Sequence, residues 1–184
     1  MLGAETNRSA AVRDIRAETF RAYDIENFDT IALRATTESG VPFGYYASHA
    51  GEVRHSPVFR IDFEKGAVAM EEGEKSSDVI ATFADGTSKN YGNPESDRHR
   101  KITVLAAAVR GKAEVPCTIE TVAPHLHAVE AVRKLAPPRN FPAEFVQRDE
   151  KHLWVPGLDD DMRRCFENQA LPSELQCPWA CPNN

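Results

Sequence analysis

The sequence has no Gly-x-Gly-x-x-Gly and no Gly-x-x-x-x-Gly-Lys-Ser/Thr; its ten glycines stand singly, mostly at predicted turns. A chain that cradles a pyrophosphate needs backbone amides bared by glycine at a helix start, so a dinucleotide or P-loop site of its own is excluded. Zinc-protease spacing (His-Glu-x-x-His) and a Gly-x-Ser-x-Gly elbow are missing too. The six histidines include His125 and His127, which stand two apart on a predicted helix, on roughly opposite sides. They cannot share a metal from one face, and no metal ligand set is assigned. No apolar run reaches the roughly 18 residues of a membrane span, and Met1-Leu2-Gly3-Ala4-Glu5 does not open like a secretory signal.

Basic excess is also lacking. Lys and Arg number 22 against 28 acids, a net charge of −6, which argues against a nucleic-acid binder. The one dense basic stretch, Arg98-His99-Arg100-Lys101, reads as a solvated helix start. Cysteines are few: Cys117, Cys165, Cys177 and Cys181. With no secretory signal they read as reduced thiols, and the expected location is cytoplasmic. Cys177 and Cys181 have three residues between them rather than the two usual for a redox or zinc pair. Incidental thiols are the expectation there. Zinc or redox chemistry is the competing reading, open to elemental analysis and thiol titration.

What is present has 41% hydrophobic and 27% charged residues over 184 positions, the balance of a globular chain. Its first two-thirds alternate like strands. Ile15, Ala17 and Thr19 oppose Arg16, Glu18 and Phe20 within 13–21. Thr30 to Thr37 carries Ile31, Leu33 and Ala35 on one face, and Glu38-Ser39-Gly40 turns it into Val41 to His49. Val58 to Glu64 returns through Gly66 as Ala67 to Met70. A strand at Val79 turns at Asp85-Gly86 into Thr87 to Tyr91.

The period then changes. Asn93-Pro94 predicts a helix start, with Ile102, Leu105, Ala106 and Val109 on one face. Thr118 predicts a second, with Ile119, Val122, Leu126, Val129 and Val132 as its apolar stripe. One more strand is predicted within Phe145 to Val155. A last helix follows Gly157, with Asp159, Asp160 and Asp161 at its positive end and Leu158, Met162, Cys165 and Phe166 inward. From about 171 to 184 no period shows, and an irregular tail is expected. Strands followed by helices predict an α+β fold: a large open, mainly antiparallel sheet with helices packed on one face.

Phe43-Gly44-Tyr45-Tyr46-Ala47-Ser48-His49-Ala50, followed by Arg54-His55, is the stretch that departs from bland patterning. Strand ends and loops commonly carry sites. Tyr45, Tyr46, His49, Arg54 and His55 are therefore the candidate residues for a polyhydroxylated ligand, since such side chains stack on a sugar face and bond its hydroxyls. For any single one of them, ordinary cross-strand packing of aromatics, with histidines satisfied at the sheet rim, is the preferred reading.

The chain resembles the second domain of the glucose–fructose oxidoreductase / inositol dehydrogenase (Gfo/Idh/MocA) family. The resemblance runs through Tyr23-Asp24-Ile25-Glu26-Asn27-Phe28-Asp29-Thr30, Ser48-His49-Ala50 and Phe63-Glu64-Lys65-Gly66-Ala67. It continues in Pro116-Cys117-Thr118-Ile119-Glu120-Thr121-Val122 and Pro172-Ser173-Glu174-Leu175. It implies a single domain over 1–184 that supplies one wall of a sugar, inositol or polyol pocket and pairs with a second copy through the open sheet face. In that family NAD or NADP is held by a preceding Rossmann domain, with a Gly-rich loop and a Glu-Lys-Pro motif. The catalytic acid–base residues lie in a Gly-Gly…Asp…His segment expected just before Leu2. None of these is in the 184 residues, so no catalytic and no cofactor-binding residue is assigned, and the isolated chain is expected to be inactive. The alternative is a stand-alone, non-catalytic dimeric module that binds a carbohydrate or a protein.

Overall fold

The computed structural model describes residues 8–71, 77–97, 99–115 and 117–181. The chain, expected as one domain, divides into two compact units: residues up to 53 together with those from 116 onward, and residues 54–115. The amino-terminal pentapeptide, Arg98 of the basic stretch and Pro116 of the resemblance lie outside the described residues.

The first unit opens with β1 (Val12–Arg21), β2 (Thr30–Thr37) and β3 (Pro42–Ser48), an antiparallel meander. The predicted bounds for β2 match residue for residue. Gly40 sits at φ 83 in the β2–β3 turn, a conformation that costs glycine nothing and a β-branched residue a good deal. The β1–β2 register slips between Arg13 and Arg16. There Asp14 takes φ 50 and accepts a 2.8 Å hydrogen bond from Thr36 Oγ1, which makes the slip a pinned bulge.

The second unit is a four-stranded antiparallel meander: β4 (Phe59–Phe63), β5 (Gly66–Met70), β6 (Val79–Phe83) and β7 (Ser88–Asn90), paired in that order. Register places Phe63, Gly66 and Phe83 in line across three strands. The unit ends with α1 (Arg100–Val109), later than Asn93-Pro94 predicts. Asn93 spends its side chain on its own turn, accepting from Glu95 N at 2.7 Å. The apolar stripe of α1 is exposed, with Ile102, Leu105 and Val109 all more than half accessible.

The chain then returns to the first unit as α2 (Ile119–Leu135), capped by Thr118 as predicted, whose side chain accepts from Thr121 N at 3.3 Å. β8 (Arg139–Asn140) adds to β1 in parallel, giving a sheet of order β3-β2-β1-β8. The one strand predicted within 145–155 is instead a ribbon of two, β9 (Gln147–Arg148) and β10 (Leu153–Trp154). Last comes α3 (Leu158–Asn168), with Leu158, Met162 and Cys165 buried and three aspartates in its first turn, as its pattern predicts.

The α+β class and the mainly antiparallel pairing hold. Two details differ from the expected single sheet with helices on one face. Among the described residues the strands form two four-stranded sheets, one per unit, and the separate two-stranded β9–β10 ribbon. In the first unit the helices take opposite faces. α2 lies against β1 on the side of Ile15, Ala17 and Thr19, where Thr19 Oγ1 donates to Ala136 O at 2.7 Å. α3 lies against β3 on the side of Tyr46. Covered on both sides, β2 is buried along almost its whole length.

α2 also rolls away from its predicted stripe. Val132 is buried, but Ile119 is 80% and Leu126 53% exposed. Thr121, Pro124 and Ala128 are half-buried, as is Val122 of the predicted stripe, and only Val132 is fully buried among the described residues of the helix.

Residues 171–181 run in turns without a helix or strand, yet they belong to the core. Leu171, Cys177, Trp179 and Ala180 are buried. Trp179 stacks edge-on to Phe20 at 5.0 Å and against Phe141 at 5.3 Å, and its Nε1 donates to Asp161 at 2.8 Å. The tail is tied to the sheet by Arg34–Glu174 at 2.7 Å and by Ser173 N donating to Glu18 at 3.2 Å.

Candidate functional site

Tyr45 and Tyr46 are neighbours in a strand, so they point to opposite faces. Tyr45, opposite Leu33 in register, is 55% exposed. Tyr46 turns inward: its ring lies over Gly44, in the space a Cβ there would occupy, and meets Phe166 of α3 edge-on at 6.3 Å. Its hydroxyl is buried and makes no hydrogen bond. Burial, then the nearby Cys165, pushes its pKa up to about 12, so it stays a neutral phenol facing packed side chains. His49 is exposed just past β3, and Arg54 and His55 are exposed residues of the second unit. Of the five candidates, the first unit therefore offers Tyr45 and His49 to a ligand.

Two aspartates hold the segment around His49, Asp29 through its backbone oxygen and Asp159 through its carboxylate. Asp29 is buried; its Oδ2 accepts from Ala22 N at 2.7 Å and Tyr23 N at 3.0 Å, and its Oδ1 from Thr30 Oγ1 at 2.9 Å. Its backbone oxygen accepts from His49 N at 2.9 Å. Asp159 Oδ2 accepts from Glu52 N and Val53 N at 2.9 and 3.1 Å. Acceptors that take two amides each fix a loop by geometry as well as energy. Asp159 thus uses the positive end of α3 to clasp this loop, and with Asp160 and Asp161 beside it that helix start repels rather than invites a phosphate.

A cleft of about 470 Å³ opens where β1 ends, bounded by β8 and the β9–β10 ribbon. Its polar wall is Arg21, Tyr23, Asp24, Asn140 and Arg148, and its apolar wall includes Phe141, Val146 and Leu153. Tyr23 Oη both donates to Leu153 O at 3.1 Å and accepts from Leu153 N at 3.2 Å, which ties the ribbon to the end of β1. The volume falls within the usual range for small-molecule sites. The pattern reading missed this place because its walls are about 120 residues apart in sequence. The one local signal is the Tyr23-Asp24 step inside the segment that carries the resemblance. A second cavity, about 650 Å³ on the polar face of β4–β6, is lined with Asp62, Glu71 and Asp78, and Arg60 there is already paired to Asp62 at 2.7 Å.

Among the described residues no three His, Cys, Asp or Glu side chains gather as a metal site, and no helix is long and apolar enough to cross a membrane. Cys177 packs in the core with Cys165.

No protein-family model matches this sequence, and no curated protein matches it. Solved structures do. UDP-N-acetylglucosamine 3-dehydrogenase from Acidithiobacillus ferrooxidans matches with TM-score 0.56 and 16% identity over 69% of this chain and 40% of that one. An oxidoreductase from Agrobacterium radiobacter, solved with NAD+, L-tartaric acid and magnesium, matches with TM-score 0.50 and 16% identity over 69% of this chain and 41% of that one. The chain spans about two-fifths of the length of these proteins, and at such identity the likeness is one of fold.

Proposed function

We propose, from a fold that fits a domain of the Gfo/Idh/MocA-type NAD-binding oxidoreductases, that this chain is the substrate-side and assembly domain of an NAD(P)-dependent enzyme acting on a sugar, inositol or related polyol. The observation that carries the reading is the shared fold over two-fifths of such enzymes. That one of them is named for a nucleotide sugar supports the substrate class, and that the other was solved with NAD+ supports the cofactor of the whole enzyme.

Hydride transfer needs a nicotinamide held against the substrate carbon. Within the described residues no helix start is shaped for that task. α1 has no side-chain cap at His99, α2 is closed by Thr118 with Glu120 behind it, and α3 begins with three aspartates. The chain alone therefore shapes a pocket wall and does not catalyse. Tyr45 and His49 are the first unit's contacts to substrate hydroxyls, while Tyr46 supports β3 from the α3 side. Buried thiols at Cys165 and Cys177 suit a reducing compartment such as the cytoplasm.

The assembly role is a homodimer through an open sheet face. Phe63, Phe83 and Tyr91 are 60%, 41% and 59% exposed, with Phe63 and Phe83 on one face of the second unit's sheet. The unit's own helix, α1, makes at most incidental contact with that sheet. This face is apolar except at its β7 edge, where Lys89 lies over the Tyr91 ring, and such a face suits a two-fold interface.

Calorimetric titration of the purified chain tests the reading. Neither NAD(H) nor NADP(H) should bind, and a polyol or sugar should bind weakly. His49→Ala and Tyr45→Ala should each weaken that binding by about fivefold, the worth of one lost hydrogen bond. Tight nucleotide uptake by the chain would overturn it.

A further inference from the structure

Arg21 is held in place without being neutralised. Its Nε donates to Asn140 Oδ1 at 2.7 Å, and its Nη1 to Ile25 O at 2.6 Å and Glu26 O at 3.3 Å. All three acceptors are neutral. Among the described residues its Nη2 makes no hydrogen bond and its charge meets no carboxylate at ion-pair distance. Arg148, on β9, lines the same cleft, and its guanidinium likewise has no partner among the described residues. Asp24 is the one acid on that wall, so two arginines and one aspartate leave a single net positive charge.

The same cleft is lined by Val146 and Leu153, both half-buried, and by the buried Phe141. Planar guanidinium donors match the geometry of carboxylate and phosphate oxygens. A side chain already fixed by other bonds spends little entropy on binding.

We propose that this cleft binds a small organic oxyanion, a carboxylate or phosphate ester about the size of a sugar. The charged group sits between Arg21 Nη2 and the Arg148 guanidinium, and the carbon skeleton lies against Phe141, Val146 and Leu153. Tyr23, bonded twice to Leu153, keeps the ribbon that carries Arg148 at its distance from β1. The site stands apart from the oxidoreductase reading: uptake of NAD(H) by the chain would sink that reading and leave this one intact.

Titration of the full 184-residue chain, followed by calorimetry and by backbone amide NMR shifts, tests it with four probes: glucose 6-phosphate, gluconate, inorganic phosphate and glucose. Glucose 6-phosphate and gluconate should bind, with the largest shifts in 147–153 and 21–24, and binding should weaken as salt is raised. Inorganic phosphate should bind more weakly because it lacks the carbon skeleton, and neutral glucose should not bind in the cleft. Arg148→Ala, an exposed position whose backbone stays paired, should weaken glucose 6-phosphate at least about tenfold, with Arg148→Lys between. Arg133→Ala on α2 should change nothing. Arg21→Lys, which keeps the charge but loses the fork, should also weaken binding. No binding of either organic anion at about 10 mM, a weak but measurable range, would overturn the proposal. So would equal affinity in Arg148→Ala, or glucose binding as well as its phosphate.

Discussion

Tyr46 shows how a single residue departs from its own pattern. The adjacent pair Tyr45-Tyr46 looks like one aromatic patch, but the strand splits it, and Tyr46 leaves a hydroxyl buried without a hydrogen bond. An unsatisfied buried hydroxyl is a cost rather than a gain. Tyr46→Phe should therefore leave stability unchanged or raise it by about 1 kcal/mol, read from urea unfolding. The same residue predicts a pH effect. Burial raises Tyr46 from 10.0 to about 12, Cys165 from 9.0 to about 11 and Cys177 from 9.0 to about 12. The unfolded chain ionises at the ordinary values while the folded chain stays neutral. This contribution is thus whole below pH 9 and is lost as pH rises through the folded values. The Tm should fall from pH 9 upward, and less steeply in Tyr46→Phe. A flat Tm between pH 9 and 11 would contradict these burial effects.

At the scale of elements, the tail carries more of the first unit than its lack of period promises. Phe20 of β1, Phe141 after β8 and Trp179 of the tail close one aromatic cluster, with Phe20–Phe141 at 5.3 Å. Trp179 also anchors the first turn of α3 through Asp161. Trp179→Ala should cost about 3–5 kcal/mol, the range for removing a buried aromatic, measured by circular dichroism in urea. Leu126→Ala, on the predicted but exposed stripe of α2, should cost less than about 1 kcal/mol, as surface changes do. Equal losses in the two variants would mean that α2 packs through its predicted face. The contrast lies in tertiary packing, since both segments read as partly apolar in sequence.

For the whole molecule, the division into two units and the open apolar sheet face of the second frame the assembly prediction. Light scattering should give twice the 20.4 kDa chain mass at micromolar concentration. Phe63→Glu, which puts a charge on the β4 edge of that face in line with Gly66 and Phe83, should return it to the monomer. A wild-type monomer under those conditions would count against pairing through this face.

The hairpins were legible because two-residue alternation and turn glycines act locally: Gly40 and Gly86 take φ 83 and 84 where the turns were expected. α3 was legible for the same reason, its apolar stripe and its aspartates lying within three turns. The cleft was not, because Arg21, Asn140 and Arg148 meet only once β8 docks on β1 and the ribbon docks on Tyr23. The sequence by itself determined strand pairing between neighbours, the capped start of α2 and the want of a glycine-bared phosphate loop. Tertiary structure alone decided which face of β3 each tyrosine took, which side of α2 met the sheet, and that an aperiodic tail closed the core. Local propensity acts over a few residues, whereas these outcomes depend on side chains brought together from more than a hundred residues apart.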